Sequence, residues 1–530
     1  MTAPAIAPTL LAEVRQQLIE SAAAMDAALR QGAMSVGMAR QGGTAAAVHT
    51  AAGALIVGGR ESHPLLLESA SEAVATFLAH AGAGASLGGD DVFATNDPRE
   101  TGAGLEDLVL VAPVAWEEEV PFLVTLTGSH AALGRATLAP VSRLRREGVL
   151  LPWTRLGRRG ALQAEIAGLL AANTDAPDAF RQDLAAHLHA LEVGRTALEG
   201  LLERLGAEPL RLACETLSRA CRAPLARLLA ALKGAAGRGV VPPFAVRVGA
   251  DGEAADVSLA REGGSPVLPG CARAAVRAAL RQILAVEAPA AGLQGDLREV
   301  VRVDTSDNDE DAPAGEARFA GAQGVAAAVL AAFAEHVPHL THAPDAGALL
   351  VDLRGERADG RRYRLRLGLP GGAGASVYGD GLTAAGPAFS PYRTLSVEEI
   401  ERRFPVRIHR LEMLPDAGGP GQYRGGLGSR LELRLLEGRA QADVLLPGRA
   451  AGLRGGMRGS VGRLVVQAAE TGRRETDGGI LETVQLVAGT VLILESPGGG
   501  GWGMPFQRSI MRLEDSALGS RRSVASCPRD

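Results

Sequence analysis

Acidic and imidazole side chains with the spacing of a metal or substrate site occur in two short segments of the sequence. The first, NDPRETGAGLED at residues 96–107, opens with an Asn-Asp-Pro turn and carries Asp97 and Asp107 near its ends. The second, GSHAALG at residues 128–134, carries His130. If the strands that precede these segments are neighbours, two carboxylates and one imidazole could converge on zinc or manganese. The alternative is that His130 is a hydrogen-bonded core residue.

We therefore take Asp107 and His130 as candidate catalytic and metal-binding residues. Asn96 and Asp97 begin the first loop, and side chains of these types often hydrogen-bond to the nearby backbone in turns. We expect Asn96 and Asp97 to shape the loop or to support Asp107 from a second layer.

Three further patterns have simpler structural explanations. HVPHLTH at residues 336–342 spaces three histidines in a way that can bind zinc, but Pro338 interrupts a helix there. The acidic run at 304–316 lacks the glycine and glutamate positions of an EF-hand and is interpreted as a solvated loop. Glycine clusters are interpreted as tight turns between strands, at 417–430, 452–459 and 495–503.

The composition limits the function classes. Of 530 residues, 55 are Lys or Arg and 60 are Asp or Glu, so the formal charge is −5 and no basic stripe favours nucleic acid. Lys233 is the single lysine, which excludes the Gly-Lys-Ser/Thr of a P-loop. Four cysteines without a C-x-x-C pair, no apolar run long enough for a membrane span, and no signal-peptide pattern predict a cytoplasmic location.

The hydrophobic pattern predicts an α+β fold with mixed sheets and packed helices in the N-terminal half and a glycine-rich, β-dominated C-terminal part. Helical periodicity covers residues 9–31 and a second helix that ends at Gly82, and residues 161–235 predict three or four helices. We expect five segments, listed in chain order: an α+β part with the site loops (1–158), a helical segment (159–238), an α+β middle (239–345), a β-rich part (346–505) and a flexible tail (506–530).

Four motifs in order make the chain resemble the hydantoinase B/oxoprolinase family. The family's GDV-x-x-x-NDP is similar to DDVFATNDP at 90–98, and its EEGV-x-I-P is similar to REGVLLP at 146–152. Its D-S-G-G-x-G-x-x-RGG-x-G is similar to DAGGPGQYRGGLG at 416–428, and its TPGGGG-[YFW]-G-x-P to SPGGGGWGMP at 496–505. The resemblance covers residues 10–505, with a middle that is shortened between about 260 and 320.

The resemblance implies a divalent metal site whose ligands are only partly kept here. In the family the first loop continues as G-G-T-H-L-P-D, so that its histidine falls on Gly104 and its aspartate on Asp107. The second family loop, G-H-H-A-D-I-G, places histidines at Ser129 and His130 and an aspartate at Ala132. Asp107 and His130 are thus the remaining ligands for zinc or manganese, and the metal site is degenerate.

The resemblance also implies a function and a partner. The family includes subunits of ATP-dependent cyclic-amide hydrolases, of the 5-oxoprolinase and hydantoinase type, and a subunit of acetone carboxylase. Such a chain would form a hetero-oligomer with a hydantoinase A-type, actin-like ATPase subunit that binds the ATP, and would act on a small cyclic amide. Two alternatives stay open: a non-catalytic paralogue that is a scaffold or regulator of such a complex, and a carboxylase subunit.

Overall fold

The structure is a computed structural model. It describes residues 6–82, 87–130, 133, 148–158, 161–174, 176–232, 236–251, 254–262, 267–289, 294–305, 312, 317–386, 389–390, 394–468, 472–509 and 512. The chain forms two compact units, and the first comprises Met1–Ala136, Val141–Ala236 and Arg247–Ala322. The second comprises Thr137–Pro140, Gly237–Val246 and Gln323–Asp530.

Helices of the first unit alternate with the strands of one large sheet. The helices are α1 (Pro8–Gly32), α2 (Val36–Ala39), α3 (Pro64–Ala81), α4 (Pro98–Thr101), α5 (Ala164–Ala172), α6 (Pro177–Leu205), α7 (Ala207–Ser218), α8 (Arg222–Ala230), α9 (Pro269–Glu287) and α10 (Ala317–Ala334), the last continuing into the second unit. The strands of the sheet are β1 (Thr44–Thr50), β2 (Leu55–Gly58), β3 (Val92–Thr95), β4 (Asp107–Trp116), β5 (Glu119–Ser129), β6 (Thr154–Arg158) and β7 (Ala161–Leu162).

This seven-stranded sheet has the order β2-β1-β5-β4-β3-β6-β7, and all its recorded pairs are antiparallel. Its central hairpin, β4 and β5, aligns Asp107 with Ser129, so the two side chains leave the same face of the sheet. Later in the chain come β8 (Gly237–Val241), β9 (Phe244–Asp251), β10 (Ala254–Arg261) and β11 (Val301–Asp304), with β10 parallel to β11.

The hairpin is buried on both faces, and alternate residues reach different helices. Leu108, Leu110 and Val124 join the large core cluster formed with α1 and α6. Val111 and Leu123 instead pack with residues of α3 on the opposite face. Even-numbered positions of this hairpin therefore face α1 and α6, and odd-numbered positions face α3.

Helices α3 and α9 pack against each other, and both contact α4 in the loop at residues 96–107. Arg281 of α9 donates to Glu68 of α3 at 2.6 Å, and both side chains are buried. Gly102, which ends α4 with a φ of 68°, packs so closely that an added Cβ would lie 2.4 Å from the carbonyl carbon of Gly270 at the start of α9. The glycine is required there because another side chain would be strained and would also collide with backbone.

The second unit is dominated by strands. They are β12 (Leu349–Glu356), β13 (Arg362–Leu369), β14 (Val406–Met413), β15 (Ser429–Leu435), β16 (Arg439–Leu446), β17 (Arg463–Ala468), β18 (Gly472–Asp477), β19 (Ile480–Val487) and β20 (Val491–Glu495), with one helix, α11 (Val397–Arg403), among them. They form a sheet of order β13-β12-β16-β19 and another of order β14-β15-β20-β17-β18.

The glycine motifs of the second unit form a packed backbone network and are not simple turns between strands. Gly499 donates to the carbonyl of Gly426 at 3.0 Å and accepts from Gly419 at 2.9 Å. An added Cβ on Gly499 would lie only 2.0 Å from the carbonyl oxygen of Ala373. Glycine is needed because neighbouring segments approach to a distance that leaves no room for a side chain.

The predicted α+β class is confirmed by these elements. The helices expected at residues 9–31 and before Gly82 are α1 and α3, and the helical segment contains four helices, α5 to α8. Within the described residues, no helix combines the length and apolar character that a membrane crossing requires. The acidic run at 304–316 and the tail after 509 lie almost entirely outside the described residues.

Candidate functional site

Asp107 lies at the first position of β4 and is fully buried. Its Oδ2 accepts hydrogen bonds from the Gly104 N–H at 2.7 Å and from Arg318 Nη2 at 2.5 Å. Its Oδ1 accepts from the hydroxyl of Ser129, the residue aligned with it on β5. We call Asp107, Glu106, Gly104, Ser129 and Arg318 the Asp107 centre.

Arg318 enters this centre from the beginning of α10 with a side chain that is 1% exposed. Its Nη1 donates to Glu106 Oε1 at 3.2 Å, so one guanidinium serves two carboxylates. Its Cζ lies 4.1 Å from the ring centroid of Phe319. Stacking on Phe319 and pairing with two carboxylates together hold the planar guanidinium in one orientation.

The protonation of the Asp107 centre follows from burial and from the arginine. Burial raises the pKa of Asp107, and the Glu106 carboxylate adds to this rise, whereas Arg318, Ser129 and the Gly104 amide oppose it. The two carboxylates raise the pKa of Arg318 despite the burial of the guanidinium. The arginine is therefore a permanent cation in this centre.

His130 lies beyond the end of β5 at an even-numbered position and faces α6, not the Asp107 centre. Its ring stacks on that of His187, with centroids 5.0 Å apart and planes inclined by 15°, and it also contacts Phe180. Its Nδ1 is 3.7 Å from Asp183 Oδ2, and neither ring nitrogen has a hydrogen-bond partner in the described part of the chain. Burial lowers the pKa of His130 to about 3, so the ring is neutral.

Asn96 ties three segments of the first unit together. Its Nδ2 donates to the carbonyls of Leu105 at 2.7 Å and Val149 at 2.8 Å, and its Oδ1 accepts from the Leu151 N–H at 2.7 Å. The side chain is fully buried, so these bonds satisfy it where water cannot. The Asn96 amide thus fixes the course of the loop that leads to Asp107.

Asp97 caps the short helix α4. Its Oδ1 accepts from the Arg99 N–H at 3.0 Å, and the Arg99 guanidinium closes an ion pair with both carboxylate oxygens at 2.9 and 2.5 Å. Its carbonyl accepts from Thr101 Oγ1 at 3.1 Å. The carboxylate is engaged in local structure, so it is not directed at a ligand in this arrangement.

The structure brings Asp107 together with Gly104 and Ser129 but places His130 on the other face of the sheet. Ala132, the third position at which a ligand implied by the family resemblance is replaced, lies outside the described residues. Among the described residues, no three His, Cys, Asp or Glu side chains are grouped as a metal would need. His342, from the other histidine cluster, contacts the Ala343 carbonyl at 2.7 Å.

The donor set of the Asp107 centre does not fit zinc or manganese. Both oxygens of Asp107 already accept hydrogen bonds, one of them from a cationic guanidinium. A metal ligand must direct a lone pair at an ion about 2.0–2.2 Å away. Oδ2 instead accepts two hydrogen bonds, one of them from a guanidinium whose positive charge would repel a divalent ion. The neighbouring Cys271 thiol does not change this, because burial raises its pKa to about 12 and keeps it protonated.

Sequence reasoning missed Arg318, Glu106, Asp183 and His187. Glu106 adjoins Asp107, and the spacing of Asp183 and His187 on α6 places them on one face of a helix, which is a weak signal. Arg318 is 211 positions from Asp107 and has no motif around it. Its role follows from the fold alone.

Known proteins similar to this chain agree on one family. A model of the Hydantoinase B/oxoprolinase family matches residues 7–505. Caprolactamase subunit beta from Pseudomonas jessenii is 26% identical over 458 residues, covering 79% of this chain and 78% of that protein. The crystal structure of the ATP-dependent caprolactamase from Pseudomonas jessenii superposes with a TM-score of 0.80 at 23% identity, covering 97% of this chain and 94% of that one.

A nucleotide-free structure of acetone carboxylase superposes with a TM-score of 0.81 at 14% identity, covering 97% of this chain and 78% of that one. At these identities the superpositions establish the fold. The match to the family covers nearly the whole sequence, including the loops of the Asp107 centre. The chain therefore belongs to the hydantoinase B/oxoprolinase family.

Proposed function

We propose that this chain is the B-type subunit of an ATP-dependent assembly that hydrolyses small cyclic amides of the 5-oxoproline, hydantoin or caprolactam type. The observation that carries the proposal is the family match over residues 7–505. It is supported by the likeness to an ATP-dependent caprolactamase over 97% of the chain. A relative that is itself named a subunit, caprolactamase subunit beta, supports a partner.

ATP is assigned to that partner. The sequence has one lysine, Lys233, and no Gly-Lys-Ser/Thr segment that could hold the phosphates as a P-loop does. An A-type, actin-like ATPase subunit would phosphorylate the lactam or imide oxygen, and this chain would receive the activated ring and direct water to it. Asp107 is the candidate general base. His130, which the sequence also suggested as an acid or base, lies on the other face of the sheet against α6, so it is not placed to act on the same substrate as Asp107.

Catalysis at the Asp107 centre has a structural requirement. Asp107 would have to exchange at least one of its three hydrogen-bond donors for water or substrate, since both oxygens are engaged. A general base must reach the proton that it removes within about 2.6–3.2 Å or through one water. The Ser129 hydroxyl is the donor that can rotate away most easily, because the other two donors are fixed by backbone and by a second carboxylate.

A second candidate function is a non-catalytic scaffold or regulator of the same kind of complex. The observation that favours it is the ion pair of Asp107 with Arg318 at 2.5 Å in a fully buried environment. Such a pair stabilises the loop that would otherwise carry chemistry. The interface with the A-type subunit could be retained while the reaction is lost.

The experiment that separates these functions is co-expression with the A-type subunit. The purified complex is incubated with ATP and 5-oxoproline, hydantoin or ε-caprolactam, and ADP and the ring-opened acid are measured. In the catalytic case both products form, and Asp107→Asn lowers the rate by about 100-fold or more. The matched control is Asp90→Asn, which changes an exposed carboxylate in the same unit and leaves the rate unchanged.

In the scaffold case the complex forms on size exclusion, yet none of the three rings opens, and Asp107→Asn changes nothing in the assay. Carboxylation of acetone by the complex with ATP and bicarbonate would instead favour a carboxylase subunit. Failure of the two chains to associate would contradict both of the main candidates.

A further inference from the structure

Gly104 leaves room for the Arg318 guanidinium, and any side chain at position 104 would require the guanidinium to move. A Cβ built on Gly104 would lie 2.2 Å from Arg318 Nη1, 2.3 Å from Cζ and 2.6 Å from Nη2. The guanidinium therefore lies directly against the Gly104 backbone, in the space that a side chain at position 104 would fill. Gly104 and Arg318 are mutually dependent, because a larger residue at 104 requires the arginine to leave.

The charge of this centre is organised around the same guanidinium. Arg318 donates to Asp107 at 2.5 Å and to Glu106 at 3.2 Å, and all three side chains are at most 3% exposed. Two carboxylates buried without a cation would be strongly destabilised. A cation is thus required at this position, and the arginine provides it.

Ser129 completes the arrangement. Its hydroxyl donates to the Asp107 oxygen that the guanidinium does not contact. A small residue at 104, a hydroxyl at 129 and an arginine at 318 are therefore one consistent set.

We infer that the Arg318 guanidinium is a built-in replacement for a divalent cation at the Asp107 centre. The region folds around this internal cation and requires no metal ion. Gly104 leaves space for the arginine, and the Ser129 hydroxyl satisfies the remaining oxygen of Asp107. A divalent ion can bind between Asp107 and Glu106 only after the guanidinium has been removed.

Rescue of Arg318→Ala by a divalent ion tests this inference. The variant is expected to melt well below the wild type, and Mn²⁺ at about 100 times its dissociation constant should raise its Tm by about 5 °C. Mn²⁺ should leave the Tm of the wild type unchanged. It should not rescue the double variant Arg318→Ala/Asp107→Asn, which has lost one of the two carboxylates that would bind the ion. No rescue of a folded Arg318→Ala would overturn the inference.

A second measurement covers the case in which Arg318→Ala does not fold. Metal content of the wild-type chain is determined by mass spectrometry after exposure to Mn²⁺ and Zn²⁺, and its Tm is compared with and without EDTA. The expected result is no stoichiometric metal and no change in Tm. Stoichiometric metal whose removal lowers the Tm would overturn the inference.

Gly104→His/Ser129→His/Arg318→Ala extends the test to coordination. With Asp107 it offers three ligands, the number typical of catalytic zinc sites, so the folded triple variant should bind Co²⁺ and show its visible absorption. All three tests use the isolated chain and measure its stability or its binding of metal. Their outcome is therefore separate from ring opening in the complex with an A-type subunit.

Discussion

Replacement of Arg318 by methionine removes a buried cation that contacts both Asp107 and Glu106, while keeping most of the volume of the side chain. Both carboxylates are buried, with side chains 0% and 3% exposed, and they are bonded to the arginine at 2.5 and 3.2 Å. Removing one partner of a buried ion pair lowers the free energy of unfolding by about 3–5 kcal/mol, because the remaining charge stays desolvated. Here two charges remain, so we expect a loss at the upper end of this range.

Asp107→Asn provides the matched comparison. It leaves Glu106 as a carboxylate partner of Arg318, so the guanidinium keeps a negative charge beside it. The amide oxygen of the asparagine can still accept from the Gly104 N–H, and the loss is then that of one charged hydrogen bond, about 1.5–3 kcal/mol. Arg318→Met should therefore destabilise the protein more than Asp107→Asn does.

Hydrogen exchange is the suitable assay, because a chain with two compact units is not expected to unfold in a single transition. The opening free energy is measured for peptides that cover residues 96–107 and compared among the wild type, both single variants and the double variant. The double variant should lose less than the sum of the single losses, since the two residues contact each other.

The dependence on pH gives a further criterion. Burial already raises the pKa of Asp107, and loss of the guanidinium raises it further. A raised carboxyl pKa means that the folded Arg318→Met variant binds protons more readily than its unfolded state, so its deficit should shrink as the pH falls towards about 4. An Asp107→Asn loss equal to or greater than that of Arg318→Met would refute this account of the centre.

Four glycine substitutions have outcomes that follow from local geometry, and a fifth substitution, at His49, has one that follows from burial. Gly499→Ala should lower the Tm strongly or prevent folding, since its Cβ would collide with a carbonyl at 2.0 Å, whereas Gly448→Ala, with no atom within 4 Å, should be neutral by calorimetry. Within α6, Gly200→Ala should raise the free energy of unfolding by about 0.5–1 kcal/mol, and Gly194→Ala should lower it by about 1–3 kcal/mol because Cβ would lie 2.3 Å from a methionine sulfur. Burial lowers the pKa of His49 to about 3, so the unfolded state binds a proton between pH 6.5 and 3 that the folded state rejects. Because of His49, the free energy of unfolding should fall by about 2 kcal/mol between pH 8 and 5. Urea denaturation at both pH values should show a smaller fall for His49→Gln than for the wild type.

Much of the fold is determined locally and could be predicted from the sequence. Pro64 at the start of α3 and Gly82 after its end set the limits of that helix through their backbone preferences. The acidic turn between β4 and β5 fixes a hairpin, and the resulting register aligns Asp107 with Ser129. The loop motif around Asn96 and its family resemblance likewise depend on residues that are close in sequence.

The partners of the site residues were decided by tertiary structure. Side chains alternate between the two faces of the sheet, so His130 faces α6 while Ser129 faces Asp107. The two residues have different neighbours because different helices pack on the two faces. Arg318 reaches Asp107 from 211 positions away, so no local pattern could connect them. The sequence by itself determined that positions 104 and 129 carry glycine and serine, where the family resemblance led us to expect histidines. The tertiary structure decided that Arg318 lies against Gly104, because packing of distant elements brings this guanidinium to the buried Asp107 carboxylate. A buried carboxylate needs such a cation nearby.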